Sequence, residues 1–382
     1  MNPPYLPEAT LIETQDALDR LAEALHKEAL LGIDTESNSM YAYYERVCLI
    51  QISTRTHDYV IDPLALDDLY PLAPLMEDPH IEKIFHAAGY DIACLKRDFE
   101  WRFVNLFDTL AASRILGRRT LGLGVILEKE FSVKADKRYQ RSNWGERPLS
   151  VAKLRYAQMD THYLPALRDR LAAELQRQGH WEEALEAFAE LTYLPAAPVD
   201  HFAPEGYWRI GKSKDVPRAK MALLRELYLL RDRIARRKDQ PPFKIFGDNT
   251  LAELAREAPD TLDALRTVRG MSAGQVRRYG QDVLSALRRG AQQEVPHPPK
   301  RNGTPPDVLA RYDALRTWRR DRGVARGVES DVIISRDALW ALAEQAPQTL
   351  AEIAAIDAVG PWKRGAYGED ILRVLRNADS RR

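Results

Sequence analysis

Five side chains in the first 160 residues have types and spacings that could do chemistry together. Asp34 and Glu36 stand two apart at the end of the apolar run LLGIDTE. If that run is a strand, its period of two turns both carboxylates to one face. Alone, the pair is equally the polar edge of a turn. Asp91 follows KIFHAAGY and opens a helix, where an aspartate ordinarily caps the first free amides. Asp108, after VNLF, has the same ordinary role and is read as a cap. Tyr156 and Asp160 are four apart in the helical stretch SVAKLRYAQMDTHYLPALRDRL, which puts phenol and carboxylate on one helix face. Together the acids say more than each does separately. Clustered carboxylates repel one another and stay ionised only with cations among them, and hard oxygen donors suit magnesium or manganese. Two such ions roughly 4 Å apart activate a water and stabilise the entering and leaving oxygens of a phosphodiester. Phosphodiester hydrolysis is the chemistry implied.

The elements that must position these groups are legible in outline. LLGIDTE, VCLIQIS, DYVID, IEKIF and FVNLF are short apolar runs of strand type. The first three are close enough for an antiparallel meander. Helices are expected at 91–98, 109–116, 122–130 and 150–178, so this part is an α/β domain with a mixed sheet. Polar and Pro-rich stretches at 194–204 and 294–306 read as linkers. Shifting the chain by 88 residues lays LAELAREAPDTLDAL over LWALAEQAPQTLAEI without a gap and matches Arg231 with Arg319 and Gly280 with Gly368. Two copies of one all-helical module are therefore expected. The domains are placed at 1–205, 206–293 and 307–382, with 294–306 as the second linker.

Composition bounds the alternatives. The 382 residues hold 56 Lys+Arg against 56 Asp+Glu and 45% hydrophobic residues, which excludes a wholly disordered or collagenous chain. The balance hides an asymmetry of −10 over residues 1–200 and +10 over 201–382. A basic half attracts polyanions, and an acidic half concentrates carboxylates around cations. No stretch reaches the roughly 20 apolar residues of a spanning helix. No secretory signal is seen at the start, so the expected location is the cytoplasm. Cys48 and Cys94 read as reduced core thiols with no disulfide or zinc framework. Nothing demands an oligomer, and a monomer is expected.

With the motifs in view, the chain resembles the DEDD exonucleases, in the subgroup with Tyr in the third motif. GIDTE resembles the first motif, with Asp34 and Glu36, FHAAGYD the second, with Asp91, and YAQMD the third, with Tyr156 and Asp160. QRSNWGERPLS is similar to the stretch before the third motif in the ribonuclease D family, and the two modules resemble the HRDC domain. The resemblance implies a ribonuclease H-like exonuclease fold with a mixed sheet, followed by two all-α HRDC domains. It implies that Asp34 bridges two Mg2+ or Mn2+ ions, that Glu36 and Asp160 complete the first ion's shell, and that Asp91 holds the second. Tyr156 would orient the attacking water as a neutral phenol. The implied activity is removal of nucleoside 5′-monophosphates from the 3′ end of RNA, with tRNA precursors the family expectation.

Basic residues interleaved with aromatics suit a single strand, with phosphates paired and bases stacked. On that ground Lys137, Arg138, Arg141, Trp144 and Arg147 are candidate RNA contacts. So are Arg236 and Arg237 in the first module, where a basic helix end offers a phosphate-binding face. Two other functions compete: a DNA 3′-5′ exonuclease in repair, and a catalytically silent RNA-binding scaffold. Tandem modules without helicase or polymerase motifs favour RNA, and the intact acids argue against silence.

Overall fold

The structure, a computed structural model, describes residues 6–134, 136–199, 202–211, 213–299 and 303–380. Parts of both expected linkers, 200–201 and 300–302, lie outside the described residues. The chain divides into two compact units: residues 1–36, 47–197 and 302–382 form one, and residues 37–46 and 198–301 the other.

The first unit holds a six-stranded mixed sheet. Its elements run β1 (Thr10–Ile12), α1 (Gln15–Leu25), β2 (Leu30–Ser37), β3 (Val47–Ser53), β4 (Asp58–Ile61), α2 (Ala73–Glu77), β5 (Glu82–Phe85), α3 (Gly89–Phe99) and β6 (Leu106–Asp108). Helices α4 (Thr109–Ile115), α5 (Leu123–Phe131), α6 (Val151–His162), α7 (Leu164–Arg177) and α8 (Trp181–Thr192) follow. Strand order is β1-β4-β3-β2-β5-β6. β3 and β4 are antiparallel, whereas β2, β5 and β6 run parallel, and α3 carries the chain from β5 to β6. All seven residues of β3 are buried, as in a central strand covered on both faces. Three-residue β1 carried too short an apolar pattern to be noticed in the sequence.

The expected helix at 150–178 is two helices. α6 stops at His162, and α7 begins at Leu164 with Pro165 in its first turn, where a missing N–H costs no hydrogen bond. The break has a structural partner in β2. A Cβ at Gly32 would stand 3.1 Å from both the Thr161 carbonyl oxygen and Leu164 Cβ. Glycine there lets the α6–α7 junction lie directly on β2, two residues before Asp34.

The second unit is built on α9 (Met221–Lys238), α10 (Pro242–Ile245), α11 (Asp248–Glu257), α12 (Leu262–Thr267) and α13 (Ala273–Ala291). The same five elements recur 88 residues later in the first unit, as α14 (Pro306–Arg326), α15 (Ser330–Ile333), α16 (Arg336–Gln345), α17 (Leu350–Ala354) and α18 (Pro361–Ser380). The repeat extends to single contacts: Arg231 donates to the Phe246 carbonyl at 3.1 Å, and Arg319 to that of Ile334 at 3.2 Å. Arg231 is buried and holds its module together.

The C-terminal module is fastened to the sheet domain through the acidic face of α8. Glu186 accepts from the backbone N–H groups of Trp362 and Lys363, and Lys363 Nζ donates to Glu190 at 2.5 Å. Arg326 grips the buried Glu183 with both terminal nitrogens, at 2.6 and 2.5 Å. Lys363 is only 5% exposed, so this cation serves packing. Among the described residues, no helix is long and apolar enough to cross a membrane.

Candidate active site

β2 supplies Asp34 and Glu36 just where it leaves the core, its first four residues buried and its last four half-buried. α6 supplies Tyr156 and Asp160 from one face, and α3 supplies Asp91 from its first turn. One carboxylate oxygen from each of Asp34, Glu36 and Asp160 lies within 4.8 Å of the others. Asp91 joins through Thr35, whose Oγ1 donates to Asp91 Oδ1 at 2.5 Å. The residue between the two acids of the first motif thus fixes the acid of the second. Asp91 is no N-cap, because α3 begins two residues earlier at Gly89. Asp108 is one: its carboxylate accepts from Ala111 N–H at 2.7 Å and also from Ala88 N–H at 2.7 Å, tying the start of α4 to the turn ahead of α3.

The electrostatics are those of closely packed, buried carboxylates. Burial first, then the charges of Asp91, Asp160 and Glu36, holds the Asp34 carboxyl well above its usual range. Glu36 is pushed up to about 9 by burial and then by Asp160 and Asp91. Burial is also the largest cause raising Asp160 and Asp91. Desolvation and like charge act in the same direction here, and a divalent cation among the oxygens reverses both. An all-oxygen donor set of this size and charge fits a hard divalent ion.

Tyr156 hydrogen-bonds Asp160 and is held above its ordinary pKa by burial, then by the charges of Asp160, Glu36 and Asp34. It is therefore a neutral phenol. Its ring is set by Trp144, 5.9 Å away, and Tyr139, 6.2 Å away, between centroids.

A cavity of about 420 Å³ opens on Asp34, Glu36 and Asp160 and is also lined by Gly122 to Val125, Asp136, Lys137, Gln140 and His86. Sequence reasoning passed over His86, although it stands in FHAAGYD. Its Nδ1 lies 2.9 Å from Thr109 Oγ1, and burial pushes it down to about 4, so it forms a neutral wall of the cavity. The available signal was its place right after a strand that ends beside Asp91.

The candidate RNA contacts separate. Lys137 lines the cavity, and Arg237 is exposed. Arg138 is mostly exposed but paired with Asp136 at 2.6 Å, and Arg141 is exposed and has a partner within the chain. One expectation is corrected, that for Trp144, and two further candidates, Arg147 and Arg236, are engaged within the chain. Trp144 is 1% exposed and packs with Cys48, Leu49, Val60 and Ala157, because its ring supports Tyr156 from inside the fold. Arg147 is engaged by Asp62 at 2.5 Å and by the carbonyls of Cys48 and Trp144, closing a loop onto β3. Arg236 bonds Asp232 at 2.9 Å and lies over the rings of Tyr43 and Phe202.

Comparison with known proteins places the chain in a family. Residues 9–176 match a 3′-5′ exonuclease family, and residues 220–287 and 308–375 each match the HRDC domain. Ribonuclease D of Acidiphilium cryptum is 30% identical over 381 residues, covering 97% of this chain and 94% of that protein. The exosome complex exonuclease RRP6 of Saccharomyces cerevisiae is 33% identical over 276 residues, and the matched part spans 68% of this chain but 38% of that protein. The crystal structure of Escherichia coli RNase D, described as an exoribonuclease involved in structured RNA processing, superposes with a TM-score of 0.69 and 25% identity. That alignment covers 97% of this chain and 99% of the other.

Proposed function

The chain belongs to the ribonuclease D family of 3′-5′ exonucleases, and from that premise we propose that this exoribonuclease works through Asp34, Glu36, Asp91, Tyr156 and Asp160. The convergence of the Asp34, Glu36 and Asp160 oxygens within 4.8 Å carries the reading. Asp34, Glu36, Asp91 and Asp160 would hold two divalent ions, Mg2+ or Mn2+. Bound there, the ions supply an activated water and stabilise charge on the oxygens of the phosphodiester.

The chain's own groups do the rest. Tyr156 keeps its hydrogen on Asp160 and presents its oxygen lone pairs to the attacking water, orienting it without removing its proton. Lys137, on the cavity wall, pairs with a phosphate of the bound strand. His86 stays neutral and borders the cavity without competing for that phosphate. A 420 Å³ space is of a size for one terminal nucleotide, and with the family's 3′-5′ polarity this reading has one nucleoside 5′-monophosphate released at a time from a free, unpaired 3′ end.

The domain limits that accompany this reading are 1–205, 206–293 and 307–382. The substrate we assign is precursor tRNA with an unpaired 3′ extension, handled in the cytoplasm by a monomer. The test is digestion of matched 5′-labelled RNA and DNA oligonucleotides and of a precursor tRNA, with Mg2+ or Mn2+. Stepwise 3′ shortening of RNA, lost in Asp34→Asn while RNA binding in EDTA persists, supports the assignment. Equal or faster shortening of DNA overturns the RNA preference, and full activity of Asp34→Asn overturns the site.

A further inference from the structure

One ten-residue stretch, SNSMYAYYER (37–46), leaves β2 one residue after Glu36 and belongs to the second compact unit with the first helical module. Its attachment there is specific. Asp239, the left-handed residue that ends α9, accepts from the backbone N–H of Tyr43 at 2.9 Å and of Tyr44 at 3.5 Å. The Tyr43 hydroxyl donates to Asp232, which also holds Arg236. Asp232 and Asp239 are thus occupied in fastening the stretch to the end of α9.

Cations and rings remain around that fastening. Lys244 Nζ lies 3.9 Å from the Tyr41 ring centroid, and Tyr279 is flanked by Lys238 at 5.0 Å and Arg278 at 5.7 Å. Tyr44 is 49% exposed and Phe243 is 55% exposed. Arg237 and Arg277 are exposed. Tyr279 is buried, so the rings open to a ligand are Tyr44, whose hydroxyl accepts from Arg236 at 3.4 Å, and Phe243, next to Lys244 in the chain. Exposed rings with basic side chains beside them suit a single strand, on which bases stack and phosphates pair.

The repeat provides an internal control. Eighty-eight residues on, Arg236, Arg237, Lys244, Arg277 and Arg278 become Val324, Ala325, Val332, Gly365 and Ala366, while Phe243 becomes Asp331. Lys238 becomes Arg326, which is held by Glu183. The framework is shared, but at these positions the first copy carries the cations, while the second has others elsewhere, Arg316 and Arg320 among them. We propose that residues 37–46 and the first module together form a binding surface for single-stranded RNA, with Tyr44 and Phe243 as base platforms and Arg237, Lys238, Lys244 and Arg278 as phosphate contacts, and that the second module takes no part. This deepens the RNA reading above. It gives the tyrosines after the first motif a role that nothing in hydrolysis requires.

Binding of a fluorescent, unstructured RNA to the full chain in EDTA, followed by anisotropy over a range of salt, tests this without involving the carboxylates. Tyr44→Ala is expected to weaken binding at least about 5-fold, the lower end for one lost stacking contact, and Tyr44→Phe to restore it. Arg237→Glu with Arg278→Glu is expected to raise the Kd about 10-fold or more and to reduce the slope of log affinity against log salt by about 1.4, at roughly 0.7 per phosphate on a single strand. Arg316→Glu with Arg320→Glu, an equal charge change on the second module, is expected to leave the Kd within 2-fold. All these side chains are exposed, and unchanged thermal melts establish that each variant is folded. Unchanged binding by both the Tyr44→Ala and the Arg237/Arg278 variants overturns the proposal, as does an equal loss from the Arg316/Arg320 variant. Asp34→Asn tests the hydrolytic site separately, through nucleotide release alone.

Discussion

Replacing Tyr156 by Phe removes one hydroxyl and leaves its setting intact. The ring is fixed by Trp144 and Tyr139, at 5.9 and 6.2 Å, and Phe fills the same place. What disappears is the phenol that bonds Asp160 and, in our account, orients the attacking water. A hydrogen bond involving a charged group contributes about 1.5–3 kcal/mol. If that contribution is realised mainly in the transition state, kcat falls by roughly 10- to 150-fold, at about 1.4 kcal/mol per decade. The pH profile carries the sharper information. Burial and then the charges of Asp160, Glu36 and Asp34 hold the phenol above its ordinary 10, so it does not titrate at working pH. Single-turnover release of the terminal nucleotide, measured from pH 6 to 9 at saturating Mg2+, should therefore give parallel profiles, with the variant lower throughout. A rate limb present in the unaltered chain and missing in Tyr156→Phe would make tyrosine the base and refute the reasoning. An unchanged rate would refute it equally.

Three further outcomes follow from the same structure. Without metal, Glu36 folded has its pKa raised from 4.5 to about 9, so its stabilisation is complete below about 4.5 and is lost as pH climbs towards 9. Glu36→Gln should then gain stability over the unaltered chain by up to about 4 kcal/mol between pH 5 and 8, three units at about 1.4 kcal/mol each. EDTA melts at the two values check this, and a gain independent of pH would contradict it. Trp144→Ala empties a buried ring site beside Tyr156 and should cost about 3–5 kcal/mol in urea unfolding; lost RNA affinity at unchanged stability would instead make Trp144 a base platform. Arg326→Ala leaves Glu183, 2% exposed, without its cation and should cost about 3–5 kcal/mol, largely recovered in Arg326→Met with Glu183→Leu; equal melts for the single and unaltered chains would contradict that.

The residues that reach the site were readable because their spacing matches element periods: two for Asp34 and Glu36 on a strand, four for Tyr156 and Asp160 on a helix. The helical repeat was readable because each copy must build the same small core, so apolar positions recur at a fixed offset. Long-range commitments were not readable. Local charge and ring content made Arg147 and Trp144 resemble substrate contacts, but Asp62 and the Cys48 carbonyl, which claim Arg147, are 85 and 99 residues away. The helix break at Tyr163 was hidden because Pro165 is compatible with a first turn, so only the close approach at Gly32 explains it. Residues 37–46 carry no periodic pattern at all, and their attachment to α9 depends on Asp232 and Asp239, nearly 200 positions later.

Anomalous scattering from crystals soaked in Mn2+ measures the founding premise directly. Two peaks about 4 Å apart, framed by Asp34, Glu36, Asp91 and Asp160, are the predicted result. An empty acidic cluster at saturating Mn2+, or ions bound only elsewhere on the chain, would contradict it.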